Sequence, residues 1–108
     1  MNLPTEIFGN VVVVHTPEEL GQDQSEGFIS FLAGLERRNV VLDLDNTESL
    51  GSAGLTSILD SQDRLRELGG CVKIATGNNS NRKILEITRL DEQLEVFESV
   101  IDAVKSCQ

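Results

Sequence analysis

The residue in this sequence whose type and position are best suited to chemistry is Ser52. It follows a buried apolar run, Val40–Leu44, and a polar segment from Asp45 to Gly51, and it directly precedes apolar residues at helical spacing. A serine at the start of a helix suits the N-cap position, where its hydroxyl accepts a hydrogen bond from a free backbone N–H. Ser52 is therefore predicted to be either a structural helix cap or a hydroxyl that can be modified.

The residues around Ser52 do not form a phosphate-binding or nucleophile motif. Gly51 and Gly54 leave the backbone open to close approach, but they lack the lysine and the spacing of a P-loop. Ser52 directly follows Gly51, so the Gly-x-Ser-x-Gly pattern of a nucleophile elbow is absent. A catalytic triad would need His15, the only histidine, to reach Ser52 from a predicted strand end. We therefore expect a protein-binding module rather than an enzyme.

Two carboxylates and two thiols are the other groups with chemical potential. Asp43 and Asp45 lie two apart on a predicted strand and share a face, so they are either a working pair or solvated acids at a loop edge. Cys71 and Cys107 form no Cys-x-x-Cys pair and no cluster with His15. We therefore expect no metal site, no disulfide and no cofactor, with Cys71 as a small buried apolar residue.

The charge of the chain indicates what it binds. The formal net charge is −9. An acidic surface repels phosphate backbones and anionic lipids, which argues against nucleic acid and membranes as partners. The acidity suits a basic patch on another protein, or it serves solubility alone. Met1–Pro4 lacks the features of a signal peptide, and the longest apolar run, Val11–Val14, is too short to span a membrane, so we expect a cytoplasmic protein.

Apolar periodicity predicts the elements that position these residues. Thr5–Phe8 and Val11–Val14 form a hairpin. A helix follows, with apolar residues at three- and four-residue steps: Phe28, Phe31, Leu32 and Leu35. This helix is predicted to end at Asn39, near Arg37.

The rest of the chain alternates strands and helices. The predicted elements are the strand Val40–Leu44, a helix from Leu55 to Leu68 that Gly69 and Gly70 end, the strand Cys71–Ala75, a loop from Gly77 to Asn81, a helix around Ile84–Ile87, a strand around Leu94–Phe97 and a helix around Val100–Val104. Such alternation requires crossover helices, so the later strands are expected to be parallel. The predicted fold class is α/β: a single domain over residues 1–108, with a mixed four- to five-stranded sheet packed against about four helices in the order β-β-α-β-α-β-α-β-α.

This order and spacing resemble the STAS domain family, the anti-sigma factor antagonists and their relatives. The resemblance is carried by these segments: Val11–Val14, Val40–Leu44, the turn Gly51-Ser52-Ala53-Gly54-Leu55, the helix to Leu68, Gly69-Gly70, Cys71–Ala75 and Ile84–Asp91. It extends from about Ile7 to Val104. No single motif is specific, but the order and spacing together are.

The resemblance implies a role for the turn at Ser52. In the family the turn reads Asp-Ser-Ser/Thr-Gly, and a partner kinase that is also an anti-sigma factor phosphorylates the first serine. Ser52 and Gly54 match that pattern, whereas Gly51 replaces the aspartate and Ala53 replaces the second hydroxyl residue. The family aspartate helps to present the serine to the kinase, so its replacement by Gly51 argues against regulated phosphorylation of Ser52.

We therefore expect a non-catalytic anti-sigma factor antagonist that binds a switch kinase and is phosphorylated at Ser52. The expected contact residues are Glu19, Gln22, Asp23, Asn46, Ser49, Leu50, Gly51, Ser52, Ala53, Gly54, Thr56 and Thr76. The alternative implied by the resemblance is a STAS subunit of a lipid-transport ATPase or of a larger signalling assembly, without phosphorylation. Whether the chain forms a homodimer is left open.

Overall fold

The protein has an α/β fold, seen in a computed structural model that describes residues 1–36 and 38–107. In that part of the chain the elements are β1 Thr5–Phe8, β2 Val11–His15, β3 Glu19–Leu20, α1 Gln22–Ala33, β4 Asn39–Asp43, β5 Ser49–Leu50, α2 Ser52–Glu67, β6 Cys71–Ala75, α3 Asn79–Ile87, a short 3₁₀ helix Leu90–Glu92, β7 Glu95–Phe97 and α4 Val100–Ser106. The main sheet has the strand order β1-β2-β4-β6-β7; β1 is antiparallel to β2, and the other neighbours are parallel. The predicted fold class is confirmed.

Helices on both faces of the sheet explain why β2 is apolar throughout. Val12 and Val14 point into the larger core, which α1, α2 and α3 cover. Val11 and Val13 point to the opposite face, where they pack with residues of α4. In a strand that is covered on both faces every side chain is buried, so apolar and polar residues do not alternate and the strand is a continuous apolar run. The large core therefore lies on one side of the sheet and α4 lies on the other.

The first predicted helix end is wrong. α1 ends at Ala33, and the N–H of Gly34 bonds to two carbonyls of the last turn at 3.1 and 3.2 Å. Leu35 still packs against the core, but from outside the helix. Asn39 begins β4, because pairing with β2 extends that strand towards its amino end. Arg37, which was predicted to lie near the helix end, falls outside the described residues.

The start of α3 also differs from the prediction. The segment from Gly77 to Asn81 was predicted to be a loop, but the helix begins at Asn79. The side chain of Asn78 caps it by accepting hydrogen bonds from the N–H groups of Ser80 at 2.9 Å and Asn81 at 3.3 Å. Residues that favour turns also favour helix starts, so composition alone did not distinguish the two.

The end of α2 agrees with the prediction. The helix stops at Glu67, and Gly69 follows with a φ of +85°. Side chains rarely adopt this left-handed conformation, which glycine adopts without a steric cost. The chain then turns back into β6.

A second, two-stranded sheet was not predicted. β3 and β5 are parallel and pair Glu19 with Ser49 and Leu20 with Leu50. Two residues in each strand are too few to show a period. The chain continues from β3 into α1 and from β5 into α2, so this ribbon fixes the starts of both helices side by side.

Candidate functional site: the surface around Ser52

Ser52 is the first residue of α2, and Gly51 rather than Ser52 is its N-cap. The carbonyl of Gly51 accepts the first helical hydrogen bond, from the N–H of Leu55 at 3.0 Å. The prediction of Ser52 as a cap is therefore wrong, because pairing of β5 and the extended backbone of Gly51 place the helix start one residue later. The Ser52 side chain is exposed, and its hydroxyl makes no hydrogen bond within the described residues. Of the two predicted roles, helix cap and modifiable hydroxyl, the geometry is compatible only with the second.

The turn before Ser52 is held by the backbone of Leu20 in β3. The carbonyl of Leu20 accepts a hydrogen bond from the N–H of Gly51 at 3.1 Å. A Cβ added at Gly54 would lie 2.1 Å from the same carbonyl oxygen, far inside van der Waals contact. Gly54 thus permits the close approach between α2 and β3 that keeps the turn in place.

The start of α1 is tied to the first turn of α2. Ser25 donates from its hydroxyl to the carbonyl of Gly21 at 2.7 Å, and the same hydroxyl lies 3.1 Å from the carbonyl of Ala53. A shallow groove runs between the two helices at this point. Its lining includes Gln22 and Thr56, and Thr56 donates to the backbone carbonyl of Ser52 at 3.0 Å.

The loop between β4 and β5 rests on a buried asparagine that sequence reasoning missed. Asn81 of α3 is 2% exposed and donates from its side-chain amide to the carbonyls of Leu44 and Thr47, at 3.0 and 2.9 Å. On the other side of the loop, Asp45 accepts a hydrogen bond from the N–H of Gly77 at 2.7 Å. Asn81 was assigned to a turn, and no pattern in the sequence relates it to a loop more than thirty residues away.

His15 lies between two carboxylates at the end of β2. Its Nδ1 is 2.8 Å from Asp43 Oδ2, and its Nε2 is 2.7 Å from Glu6 Oε1. Burial by itself lowers the pKa of His15, but the hydrogen bonds to Glu6 and Asp43 outweigh it and raise the pKa above its ordinary value. Both ring nitrogens face acceptors, an arrangement that the protonated ring satisfies. His15 thus stabilises the edge strand β1 and has no contact with Ser52 that would make a catalytic triad.

Nine of the expected contact residues are accessible to a partner. Those with exposed or half-buried side chains or backbone are Glu19, Gln22, Asp23, Asn46, Ser49, Gly51, Ser52, Ala53 and Thr56. We call these nine residues the switch surface. The β3–β5 ribbon places Glu19 beside Ser49, and the groove brings Gln22 near Ala53.

Three expected contact residues are buried. Leu50 is 9% exposed and belongs to the core, and Gly54 is packed against β3. Thr76 is 0% exposed, and its hydroxyl accepts a hydrogen bond from the N–H of Asn78 at 3.1 Å. The assignment of Thr76 to a contact surface is therefore corrected: the chain bends after β6 and folds this side chain inward, where it fixes the start of α3.

The surroundings of Ser52 are acidic. Exposed carboxylates in the segments next to the turn belong to Glu18, Glu19, Asp23, Asp45 and Glu48. The backbones of two of these segments meet, since the N–H of Glu48 donates to the carbonyl of Glu18 at 2.8 Å. Such a surface attracts a basic patch on a partner and repels further negative charge.

Two kinds of site do not occur in the described part of the chain. Residues 1–36 and 38–107 contain no group of three or more histidine, cysteine, aspartate or glutamate side chains arranged to bind a metal ion. Nor does any helix in those ranges have the length and apolar character needed to cross a membrane.

Comparison with known proteins agrees with the sequence resemblance. A proposed anti-sigma factor antagonist from Thermotoga maritima superposes with a TM-score of 0.84 at 22% identity, covering 96% of this chain and 92% of that one. A sulfate transporter family protein from Wolinella succinogenes gives 0.80 at 12% identity, covering 94% and 87%. The anti-sigma factor antagonist SpoIIAA of Bacillus, in its phosphorylated form, gives 0.72 at 13% identity, covering 99% and 100%.

At these identities the superpositions show a shared fold. No curated protein matches the chain in a search by sequence. A family model described as the STAS domain matches residues 2–103, nearly the whole of the sequence. The chain therefore belongs to the STAS domain family.

Proposed function

We propose that this protein is a non-catalytic cytoplasmic regulator that binds an anti-sigma factor with serine kinase activity through the switch surface. The observation that carries the proposal is the exposed, unbonded hydroxyl of Ser52 at the first position of α2. The turn beneath it is fixed by Leu20 and Gly54, so a partner meets a preformed surface. Preformed surfaces bind with a smaller loss of conformational entropy.

Phosphorylation of Ser52 is the regulatory step. The kinase transfers the γ-phosphoryl group of ATP to Ser52 Oγ, which loses its proton, and ADP leaves. The phosphate adds about −1.5 to −2 charges at neutral pH. The free N–H groups at the start of α2 tolerate this charge, so the fold persists. The phosphate is strongly hydrated and lies where the partner docks, so binding would have to strip its water and accommodate its bulk, and the partner dissociates.

The residues that differ from the family turn do not block this step sterically. A Cβ at Gly51 would come no closer than 3.9 Å to another residue, so the fold does not require glycine at this position. The carbonyl of Ala53 lies 3.1 Å from the Ser25 hydroxyl, and this contact requires no hydroxyl at position 53. The serine that receives phosphate keeps its exposure.

The test begins with the tagged protein in its native host. Partners that co-purify with the wild type are identified by mass spectrometry, purified, and incubated with the protein and Mg-ATP. We expect a kinase-fold partner, phosphate on Ser52 of the wild type, and none on the Ser52→Ala variant. If the partner is a transport ATPase or a large complex and Ser52 stays unmodified, the proposal is wrong and the chain is an assembly subunit.

A further inference from the structure

The two cysteines meet on the face of the sheet opposite the large core. In β6, Cys71 shares a face with Lys73 and Ala75, and Ala75 packs with residues of α4. The ammonium group of Lys73 lies 2.9 Å from Ser106 Oγ and 3.3 Å from the carbonyl of Ser106. The last turn of α4 therefore lies over β6, and Cys107, the next residue, packs against the apolar cluster to which Ala75 belongs.

The Cys107 thiol is near enough to the Cys71 thiol to affect its pKa. Both cysteines are unoxidised and half-buried, and Cys107 packs against the apolar cluster under α4. Burial raises the pKa of the Cys71 thiol, and the neighbouring Cys107 thiol raises it further, whereas Lys73 opposes this change. Cys71 Sγ also lies 3.5 Å from Asn39 Oδ1. Two thiols and one ammonium group thus form a cluster outside the switch surface.

We propose that Cys71 and Cys107 form a reversible intramolecular disulfide when the protein is exposed to a peroxide, and that this bond fixes α4 to the sheet. The thiolate of Cys107 attacks one oxygen of hydrogen peroxide; the O–O bond breaks, a sulfenic acid forms, and the released hydroxide leaves as water with the proton that Cys107 lost. The thiolate of Cys71 then attacks the sulfenic sulfur, the S–O bond breaks, and the hydroxide leaves as a second water with the proton from Cys71. Two thiols are oxidised and one peroxide is reduced to two waters.

The position of each cysteine favours this order of events. Cys107 follows the last residue of α4, a seven-residue helix, and its side chain is half-buried, so solvent reaches the thiol. Cys71 lies at the beginning of a central strand and acts as the resolving thiol. The ammonium of Lys73 offsets part of the rise in the pKa of the Cys71 thiol. The closed loop runs from residue 71 to residue 107, so the bond removes much of the freedom of the unfolded chain.

The test uses the purified, reduced protein and hydrogen peroxide. We expect the intact mass to fall by two hydrogen atoms, both free thiols to disappear, and peptide mapping without reductant to join the segments of Cys71 and Cys107. The melting temperature should rise by roughly 10 °C and return to its starting value with dithiothreitol. The Cys107→Ser variant should show no such rise.

The same reaction in urea serves as the control for proximity. If the fold brings the thiols together, the native protein forms the cross-link at least several times faster than the unfolded chain. An equal rate in urea, cross-links only between molecules, or oxidation to sulfinic acid without a cross-link would each overturn the proposal.

Discussion

The carbonyl oxygen of Leu20 occupies the space that a side chain at Gly54 would need, with only 2.1 Å between that oxygen and an added Cβ. This contact joins β3 to the first turn of α2, where Ser52 lies. The position of the switch surface therefore requires glycine, a residue without a side chain, at position 54.

We expect Gly54→Ala to destabilise the protein by about 2 kcal/mol, because the clash with backbone outweighs the higher helix propensity of alanine. Urea unfolding measures the change. Gly51→Ala is the matched control: its Cβ would meet nothing closer than 3.9 Å, so only the weaker N-cap preference of alanine remains, a cost of about 0.5 to 1 kcal/mol. Equal effects of the two substitutions would contradict the close approach at Gly54.

The main sheet and the buried faces of the helices could be predicted from the sequence, because in long elements the buried apolar residues recur at a regular spacing. Val11–Val14 and Cys71–Ala75 are strands as predicted, and Phe28 and Leu32 are the buried residues of α1. The end of α1 could not be predicted from apolar spacing, since Leu35 continues the pattern after the helix has stopped at Ala33. Apolar spacing reports what is buried, and a loop residue can be buried too.

Loss of the Asn81 amide should loosen the loop that precedes the switch surface. Asn81→Ala leaves the buried carbonyls of Leu44 and Thr47 without their donor, which costs about 2 kcal/mol in the free energy of unfolding. The exposed Asn79 on the same helix is the control, and Asn79→Ala should stay within about 0.5 kcal/mol of the wild type. Hydrogen exchange should show faster exchange from Asp45 to Glu48 in the Asn81 variant alone.

The candidate site was only partly predictable for a related reason. Ser52, Gln22 and Thr56, which the resemblance suggested as contact residues, have exposed side chains. Thr76 and Asn81 follow a strand in the same way, but their side chains turn inward. The direction of a polar side chain in a loop depends on which backbone groups need a partner, and these are known only once distant segments have met.

Protonation of His15 should make the stability of the protein depend on pH. The pKa of His15 is raised in the folded state, so the protonated ring stabilises the fold; this contribution is complete below the unfolded pKa of about 6.5 and is lost as the pH rises through the folded value. The free energy of unfolding, compared between wild type and His15→Gln from about pH 5.5 to about pH 8.5, measures it. The difference should favour the wild type most at the acidic end.

Removal of one carboxylate separates the causes of this effect. Glu6→Gln keeps the contact with Asp43 at 2.8 Å but removes one charge that favours the protonated ring. The decline should therefore be smaller in Glu6→Gln and be complete at a lower pH, because only the folded pKa changes. A wild-type profile parallel to that of His15→Gln would show that the ring is not protonated preferentially in the fold.

A negative charge at Ser52 should separate binding from stability. Ser52→Asp places a carboxylate at the start of α2, where the helix dipole favours it by about 0.5 kcal/mol, so the melting temperature should stay the same or rise slightly. Binding to the purified partner should weaken at least about tenfold, or by about 1.4 kcal/mol. Ser30→Asp adds the same charge to the exposed far end of α1 and should leave the affinity within about twofold of the wild type.

Restoring the family aspartate beside the serine tests whether Gly51 limits phosphorylation. The backbone of Gly51 is extended, with φ −86° and ψ 172°, and the space around it is open, so Gly51→Asp should fold with unchanged stability. An aspartate next to Ser52 can orient the serine hydroxyl in the kinase, and we expect the phosphorylation rate to rise by about tenfold, the range in which positioning of a reacting group acts. Gly51→Asn, which has the same shape without the charge, is the control. A higher phosphorylation rate in Gly51→Asp but not in Gly51→Asn would assign the effect to the carboxylate. Equal rates for the wild type and Gly51→Asp would show that this kinase phosphorylates Ser52 without help from a neighbouring aspartate.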